Sequence, residues 1–249
     1  MTNLKEKTGF NSQGLMAFWA TFEKQDLPNY VEWHNCEHMA ERVSILGFQK
    51  GRRYAVNGEP GRFLQFYETE TSSVLGAKPY LDALNNPTPW TKKALQWFRD
   101  PVRNIYELIG SNGEPCMFTA PYLAAIRFNL EDGKDGELLP KYASEWLSAL
   151  CDMPHVLRAR LYWVDEEISK IMTSESKIYG GGPGGQQYLA FIEIAKPFDQ
   201  TGDFIAKATD QVFPTGHGRL DEYVDQTMLD FCLDKTFFHT NNDLTNKGG

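Results

Sequence analysis

Residues 62–69 read RFLQFYET, and residues 187–193 repeat much of that pattern as QYLAFIE. Apolar and aromatic residues in short runs of this kind, bounded by glycine and proline, are typical of β-strands. Two further sets of residues match in the same order: Arg52 and Tyr54 with Arg160 and Tyr162, and Tyr30 and Trp33 with Tyr142 and Trp146, where the spacing differs by one residue. The sequence therefore predicts an internal duplication.

Each half of the chain follows the order β-α-β-β-α-β, which is the ferredoxin-like unit. The first half has predicted strands at 15–22, 47–56, 62–69 and 102–110, a helix at 27–46 and a helical region at 72–98. The second half has predicted strands at 121–130, 155–164, 186–196 and 222–233, a helix at 141–150 and a helical stretch at 198–213.

One ferredoxin-like unit leaves an apolar sheet face that must be covered. We therefore predict an α+β fold, in which two tandem repeats pack sheet against sheet as a pseudo-dimeric α/β barrel with a cavity between them. The boundaries are repeat 1 at 13–112, a degenerate repeat 2 at 117–235 and a flexible tail at 236–249. The glycine-rich tip GGGPGG (180–185) precedes a strand rather than a helix, so it predicts a hairpin loop over a pocket and not a phosphate site.

Composition narrows the possible partners. The chain has 249 residues and a formal net charge of −8, which argues against nucleic acid and anionic membranes as partners. It has no apolar run near the roughly 18–20 residues of a membrane span and no apolar leader, so we expect a cytoplasmic protein. The four cysteines are scattered and are expected to be reduced and mostly buried: Cys36, Cys116, Cys151 and Cys232.

The first helix carries the densest group of polar residues. At regular steps of about 100° per residue, an apolar stripe from Trp33 through Cys36 and Met39 to Leu46 faces the sheet, and Tyr30, His34, Glu37 and Glu41 lie opposite. His38 is flanked one helical repeat away on each side by Val31 and Ile45, so we predict its partial burial. A histidine in such a place can titrate near neutrality and serve as a general acid or base.

The same segment also matches the inverted zincin motif H-x-x-E-H, from His34 to His38. Two histidines four residues apart can share a metal ion, with Glu37 as the base. A third ligand has to come from a later acidic helix, and no such segment stands out. We therefore expect no metal and no cofactor.

The run WHNCEHMAER (33–42), followed by Gly47-Phe48 and Arg52-Arg53-Tyr54, resembles the pattern of EthD-like dimeric α/β-barrel proteins. The specific match covers about residues 15–110. In the second half Trp146 persists, but LSALCDMP (147–154) replaces the histidine–glutamate segment. The resemblance implies a cavity between sheet and helices and several possible chemistries: cofactor-free oxygenation, polyketide cyclisation or dehydration, lactone isomerisation and haem-dependent reactions. The fold alone does not choose among them.

Further residues are candidates for the wall of the cavity. Arg52 and Tyr54 share one face of a strand, as do Arg160 and Tyr162, and they are suited to bind a carboxylate or an enolate oxygen. Pairing of the arginines with sheet neighbours is an equally good interpretation. His155 is expected to face the pocket, and it and His217 are the candidate haem ligands of repeat 2; His239 is expected to be solvated. Several aromatic residues are core or pocket candidates: Phe18, Phe22, Phe66, Tyr67, Trp90, Trp97 and Tyr188.

The sequence thus predicts a cofactor-independent lyase, dehydratase or isomerase that acts on an aromatic or polyketide-like carbonyl compound. In this hypothesis His38 is the general base, Glu41 or Glu37 orients it, His34 lies beside it, and Trp33 contacts a small hydrophobic substrate. Two alternatives stay open, namely a non-catalytic or stress-related ligand-binding barrel and a haem- or metal-dependent enzyme. A homodimer is also possible.

Overall fold

The computed structural model describes residues 14–114 and 119–238 of the chain. Its strands are β1 (Gly14–Thr21), β2 (Phe48–Val56), β3 (Arg62–Thr69), β4 (Arg99–Gly113), β5 (Tyr122–Leu130), β6 (Val156–Val164), β7 (Tyr188–Ile194) and β8 (Arg219–Asp234). The α-helices are α1 (Leu27–Trp33), α2 (Met39–Val43), α3 (Lys78–Asn85), α4 (Pro89–Ala94), α5 (Asp135–Lys141), α6 (Leu147–Cys151), α7 (Glu166–Ser169), α8 (Ser174–Tyr179) and α9 (Phe204–Val212).

Shorter helical turns complete these layers. A π-helical turn, His34–His38, joins α1 to α2, and a second π-helical turn, Tyr142–Trp146, joins α5 to α6. Turns of 3₁₀ helix lie at Ser72–Gly76, Leu95–Trp97 and Phe198–Gln200. Within the described ranges, no helix is long and apolar enough to cross a membrane.

The eight strands form one closed antiparallel barrel in the order β1-β3-β2-β8-β5-β7-β6-β4. Within it, β4-β1-β3-β2 and β8-β5-β7-β6 are two ferredoxin-like sheets. The long strands β4 and β8 close the ring, because β4 pairs with both β1 and β6 and β8 pairs with both β5 and β2. The predicted α+β barrel of two tandem repeats is confirmed.

Buried side chains pack into the space between the two sheets, where the sequence predicted a cavity. One buried apolar cluster occupies the barrel interior and includes Trp19, Tyr54, Phe66, Leu123 and Phe191. Two other clusters lie outside the barrel, one under the helices of each repeat.

An ion-pair cluster lies in the barrel interior and reflects the duplication. Arg52 contacts Glu68 at 3.3 Å and Glu193 of the other repeat at 3.1 Å. Arg160 makes the reciprocal pair, with Glu193 at 2.8 Å and with Glu68 across the barrel. Burial by itself would raise the pKa of both glutamates, but the arginines lower each pKa to about 2. The two carboxylates are thus ionised partners of arginines drawn from both repeats.

Helices α7 and α8 lie in the long connection between β6 and β7, where the sequence predicted only a hairpin tip. They cross to repeat 1, where α7 packs on β4 and α8 packs on α3 and the turn Leu95–Trp97. Thr173 caps α8 by accepting a hydrogen bond from the Ser176 backbone N–H, and Gly180 ends the helix in a left-handed conformation. The glycine tip then follows β4, because Arg103 donates its backbone N–H to the Gly182 carbonyl at 3.2 Å.

Several smaller predictions concern exposure and chain ends. Cys36 is exposed, and Cys151 and Cys232 are half-buried, so the expectation of mostly buried thiols is wrong for these three. Cys116, most of the tail and His239 lie outside the described residues. The β4 strand runs to Gly113, one residue beyond the predicted end of repeat 1.

Candidate functional site

The π-helical turn His34–His38 decides which face of the first helix is buried. The Met39 backbone N–H donates to the His34 carbonyl, five residues back, so this turn holds one residue more than an α-helical turn. The extra residue rotates all later side chains by about 100° relative to a regular helix. Tyr30, His34 and His38 therefore lie on the same buried face, joined by Arg42.

The predicted orientation of this helix is consequently wrong in part. Cys36 is exposed and Leu46 is 81% exposed, although both were assigned to the sheet-facing stripe. His34 is fully buried, although it was assigned to the opposite face. Trp33 and Met39 do pack against the sheet as expected, and the predicted burial of His38 is confirmed.

His34 is held by the neighbouring strand. Its Nδ1 atom lies 2.8 Å from an Arg53 guanidinium nitrogen, and a guanidinium can only donate, so Nδ1 accepts. The Arg53 Nε atom also donates to the Asp230 carboxylate at 2.6 Å. Burial and the Arg53 charge lower the pKa of His34 well below its usual value. His34 is therefore a neutral imidazole with its proton on Nε2.

His38 is a buried histidine whose side chain lines a cleft. Its ring centroid lies 4.3 Å from that of Trp33 and 5.8 Å from that of His34. Its Nδ1 atom is buried and has no hydrogen-bond partner among the described residues. Burial, Arg42 and His34 lower the pKa of His38 well below its usual value. A neutral imidazole at neutral pH is the form that can accept a proton.

The cleft lies between the first helix and the outer face of the repeat 1 sheet, not inside the barrel. The volume that a water-sized group can occupy in it is about 30 Å³, and its empty space is about 400 Å³ when the part open to solvent is counted. The apolar wall comes from Met16, Phe18, Leu84, Leu95 and Phe98. This position corrects the expectation that His38 faces a chamber enclosed by both repeats.

Polar groups line the rest of this cleft. The Tyr67 hydroxyl is buried and has no hydrogen-bond partner among the described residues. Burial raises the pKa of Tyr67 well above its usual value, so the hydroxyl keeps its proton and can donate a hydrogen bond. Arg42 is paired with Glu175 of α8, and Tyr179 of α8 also lines the cleft. Repeat 2 therefore contributes two residues that sequence analysis missed. The signals that could have found them were the Thr173–Ser176 capping pair and Gly180.

Glu37 and Glu41 of the first helix do not hydrogen-bond His38. The Glu37 carboxylate accepts hydrogen bonds from Thr88 at 2.7 Å and Thr91 at 2.9 Å, and so ties this helix to the start of α4. Glu41 lies 3.3 Å from Arg42 with its side chain 30% exposed. Glu37 thus holds a neighbouring element, Glu41 contacts its sequence neighbour, and the His38 ring packs against Trp33.

The remaining candidate residues lie away from the cleft. Trp33 is buried behind His38 and donates its indole N–H to Thr91 at 3.2 Å. Arg52 and Arg160 point into the barrel interior with Tyr162, and the Tyr54 hydroxyl donates to the Ala120 carbonyl at 2.9 Å. These four interior residues face the opposite side of the sheet from His38, so the structure does not bring them together with it.

The aromatic candidates divide among these regions. Phe18 and Tyr67 line the cleft, whereas Phe66 faces the barrel interior. The others pack in the outer layers, with Phe22, Trp90 and Trp97 in repeat 1 and Tyr188 in repeat 2.

His155 and His217 lie outside the cleft. His155 is exposed in a turn with positive φ of 71°, so the expectation that it faces the pocket is wrong. His217 is half-buried in repeat 2, and its Nδ1 accepts the Arg219 backbone N–H at 3.1 Å. Across residues 14–114 and 119–238 no three His, Cys, Asp or Glu side chains are placed to hold a metal ion. His34 and His38 lack the third ligand that the zincin interpretation needs.

Comparison with known proteins supports the fold. An anthrone oxidase-like protein matches with a TM-score of 0.57 and 9% identity over 91% of this chain and 94% of that one. A "putative monooxygenase" from Lactobacillus acidophilus matches with a TM-score of 0.55 and 8% identity over 90% and 97% of the two chains. A "putative monooxygenase" from Fusobacterium nucleatum matches with a TM-score of 0.56 and 7% identity over 91% and 96%.

Sequence comparisons add no closer relative. No protein-family model matches the chain, and no curated protein matches it either. At these identities the structural matches establish the architecture, and the chain has the ferredoxin-like, dimeric α/β-barrel fold that its sequence resembled.

Proposed function

We propose that this chain is a small-molecule enzyme in which His38 acts as a general base on an aromatic or polyketide-like carbonyl compound, without a cofactor. The observation that carries this proposal is the buried, neutral imidazole of His38, whose Nδ1 has no partner, at a largely apolar cleft. A solvated surface histidine would have neither the lowered pKa nor the apolar surroundings. The names of the structural neighbours, an anthrone oxidase-like protein among them, agree with this class of substrate.

The proposed chemistry begins with removal of a proton from a carbon that is next to the substrate carbonyl or conjugated with it through an aromatic ring. The proton moves to the His38 imidazole, and the electron pair of the C–H bond moves into the carbonyl group to give an enolate. The unpaired Tyr67 hydroxyl is available to donate a hydrogen bond to the enolate oxygen, where negative charge develops. One positioned base of this kind is worth roughly a hundred- to ten-thousand-fold in rate.

The fate of the enolate decides the reaction class. Loss of a neighbouring hydroxyl gives a dehydratase or lyase, and return of the proton to another carbon gives an isomerase. The neighbours called monooxygenases favour a second candidate, in which the carbanion reacts with O₂. For a methylene group that reaction is R₂CH₂ + O₂ → R₂C=O + H₂O, so the substrate supplies all four electrons that reduce O₂.

Anthrone is a suitable first probe, because it is an aromatic ketone with an acidic methylene group. We expect the protein to accelerate exchange of the methylene protons in D₂O, measured by proton NMR. His38→Gln should slow this exchange by about a hundred- to ten-thousand-fold while the circular dichroism spectrum stays unchanged. Oxygen uptake measured in parallel separates the oxygenase from the lyase and isomerase.

His217→Gln is the matched control, since it removes a half-buried histidine of repeat 2 outside the cleft. It should leave the exchange rate unchanged. Exchange no faster with wild-type protein than with His38→Gln would reject the proposal, and saturable binding of anthrone without exchange would favour a ligand-binding barrel instead.

A further inference from the structure

The cations that line the cleft differ in their pairing. Arg42 is almost fully buried and is hydrogen-bonded to Glu175, which is itself buried. Arg103 on β4 is also buried, 9% exposed, but no carboxylate of the described residues lies within 4.0 Å of its guanidinium. Its hydrogen-bonded side-chain neighbour is the Tyr80 hydroxyl, at 3.4 Å. Burial by itself would lower the pKa of Arg103, but Tyr80, Tyr179 and the more distant Glu175 raise it above its usual value, so the guanidinium stays charged. Glu175 is already paired with Arg42.

The charges that line the cleft therefore do not balance. Arg42 and Glu175 cancel, which leaves Arg103 as one excess positive charge beside an apolar wall. An isolated buried charge is costly unless a counter-charge compensates it. A protein can keep an unpaired buried charge in a binding site, because the ligand supplies the counter-charge and the electrostatic cost is recovered on binding.

We propose that the substrate of this cleft carries a carboxylate and that Arg103 binds it. This inference rests on the proposed function, in which His38 acts on the substrate bound in this cleft. The binding of an acid by Arg103 can be tested independently of that chemistry. A guanidinium presents parallel N–H donors that match the two oxygens of a carboxylate. The Tyr80 hydroxyl, which accepts from Arg103, keeps its own proton free to donate to the same group.

A monoanion fits this site better than a phosphate does. One excess positive charge balances one carboxylate, whereas a phosphate monoester carries about −1.5 to −2 charges near neutral pH. The sequence had suggested Arg52 and Tyr54 for carboxylate binding, but Arg52 already contacts Glu68 and Glu193 inside the barrel. Arg103 takes that role because its guanidinium faces the cleft without a carboxylate partner.

The test compares two ligands of nearly the same shape, 2-naphthoate and its neutral amide 2-naphthamide, by isothermal titration calorimetry. Wild-type protein should bind 2-naphthoate about ten- to a hundred-fold more tightly than the amide, as expected for charge-assisted hydrogen bonds. Arg103→Gln should abolish this preference, and Arg103→Lys should retain part of it. Arg99→Gln is the matched control, because it removes an exposed arginine of the same strand outside the cleft.

Thermal unfolding separates a loss of binding from a loss of folding. Without ligand, Arg103→Gln should unfold at a temperature close to that of wild type, since this substitution leaves no carboxylate without an ion-pair partner. Arg42→Gln should unfold at a lower temperature, because Glu175 is then left buried without its partner. Saturating 2-naphthoate should raise the melting temperature of wild type and leave that of Arg103→Gln unchanged.

The possible outcomes are distinct. Equal binding of naphthoate and naphthamide by wild type, or a preference that survives Arg103→Gln, overturns the inference. If His38→Gln leaves anthrone exchange unchanged while Arg103→Gln abolishes the preference for naphthoate, the proposed chemistry fails and the acid-binding site stands. If His38→Gln stops exchange and the preference is absent, the chemistry stands and the acid-binding site is rejected.

Discussion

The two repeats share a framework but differ in the helix that covers the sheet. In repeat 1 the Trp33 indole donates to Thr91 at 3.2 Å, and in repeat 2 the Trp146 indole donates to Thr209 at 3.0 Å. Each helix also contains one π-helical turn. In repeat 1 the turn follows the tryptophan, and in repeat 2 it includes the tryptophan at its end. This offset accounts for the one-residue difference in spacing between the two tyrosine–tryptophan pairs.

The position of the π-helical turn has a chemical consequence. In repeat 1 it directs His34, His38 and Arg42 to the buried face of the helix. In repeat 2 the segment after Trp146 contains Leu147 and Leu150, which complete an apolar core. The same fold therefore holds a cleft with buried polar groups in repeat 1 and an apolar core in repeat 2, and the difference lies in a few side chains and the position of one helical turn.

The outer strands β4 and β8 differ in a similar way. Helix α7 packs on β4, where Ile105 is fully buried. The corresponding connection of repeat 1 is the short hairpin between β2 and β3, and on the outer face of β8 Val224 and Met228 are 44% and 50% exposed. The homodimer suggested from sequence stays a prediction, and this face of β8 is where a second copy would be sought first.

The largest expected effect on stability concerns the interior ion cluster that joins the repeats. Glu193 contacts Arg52, Arg158 and Arg160, whereas Glu68 contacts only Arg52 and Arg160 among these. Glu193→Gln should lower the free energy of unfolding by about 3–5 kcal/mol, because it leaves arginines buried without a counter-charge. Urea denaturation measures this loss, and Glu68→Gln should cost less. Equal losses in the two variants would show that the extra contact of Glu193 contributes nothing.

A smaller effect is expected at the matched threonines. Thr91→Val and Thr209→Val each leave a buried tryptophan N–H without its acceptor, so each should cost about 1–3 kcal/mol. Only Thr91→Val should also slow proton exchange at the cleft, because the Trp33 ring packs against His38 at 4.3 Å. Unfolding measurements and the anthrone exchange assay check the two parts. A comparable slowing in Thr209→Val would contradict the assignment of the chemistry to repeat 1.

The smallest effect concerns pH. The pKa values of His34 and His38 in the folded state lie well below the unfolded value of about 6.5. Below about pH 6.5 the unfolded state therefore binds protons that the folded state does not, and the contribution of these histidines to stability is lost progressively as the pH falls towards the folded-state pKa values. We expect the free energy of unfolding to decrease between pH 7 and pH 5.5. Glu175, whose pKa is raised by burial, acts in the opposite direction.

The contribution of the histidines can be isolated by repeating the measurement with His38→Gln, which should flatten the pH dependence while leaving Glu175 in place. A slope unchanged by this substitution would show that His38 titrates as a solvated group. The acid limb of kcat/KM should likewise lie below the usual range of a histidine.

Much of the fold could be predicted from the sequence because it follows from periodicity. The strand at 62–69 was predicted with the bounds that the structure shows, and the first helix was predicted to begin at Leu27, where α1 begins. Duplicated residues such as Arg52 and Arg160 identified the tandem barrel, and their reciprocal pairing with Glu68 and Glu193 reflects that duplication.

The candidate site could be predicted only in part, since it depends on features that periodicity does not report. The π-helical turn His34–His38 changes the backbone hydrogen-bond register, but the apolar pattern of the sequence still matches a regular helix. The buried face of the helix was therefore predicted on the wrong side. Arg42 and Glu175 lie 133 residues apart, and such a contact requires the three-dimensional path of α8. Arg103 was likewise not predicted as a site residue, because the sequence does not show which arginines have no carboxylate partner in the fold.

The crossing of α7 and α8 from repeat 2 to repeat 1 means that the chain cannot be trimmed to its polar half. A fragment that ends at residue 114 would keep His38 and Arg103 but lose Glu175 and Tyr179. Repeat 2, whose first helix has no histidine, is thus no vestige of duplication. It supplies part of the wall around the imidazole, so a change in that loop can alter the chemistry of a helix encoded more than a hundred codons earlier.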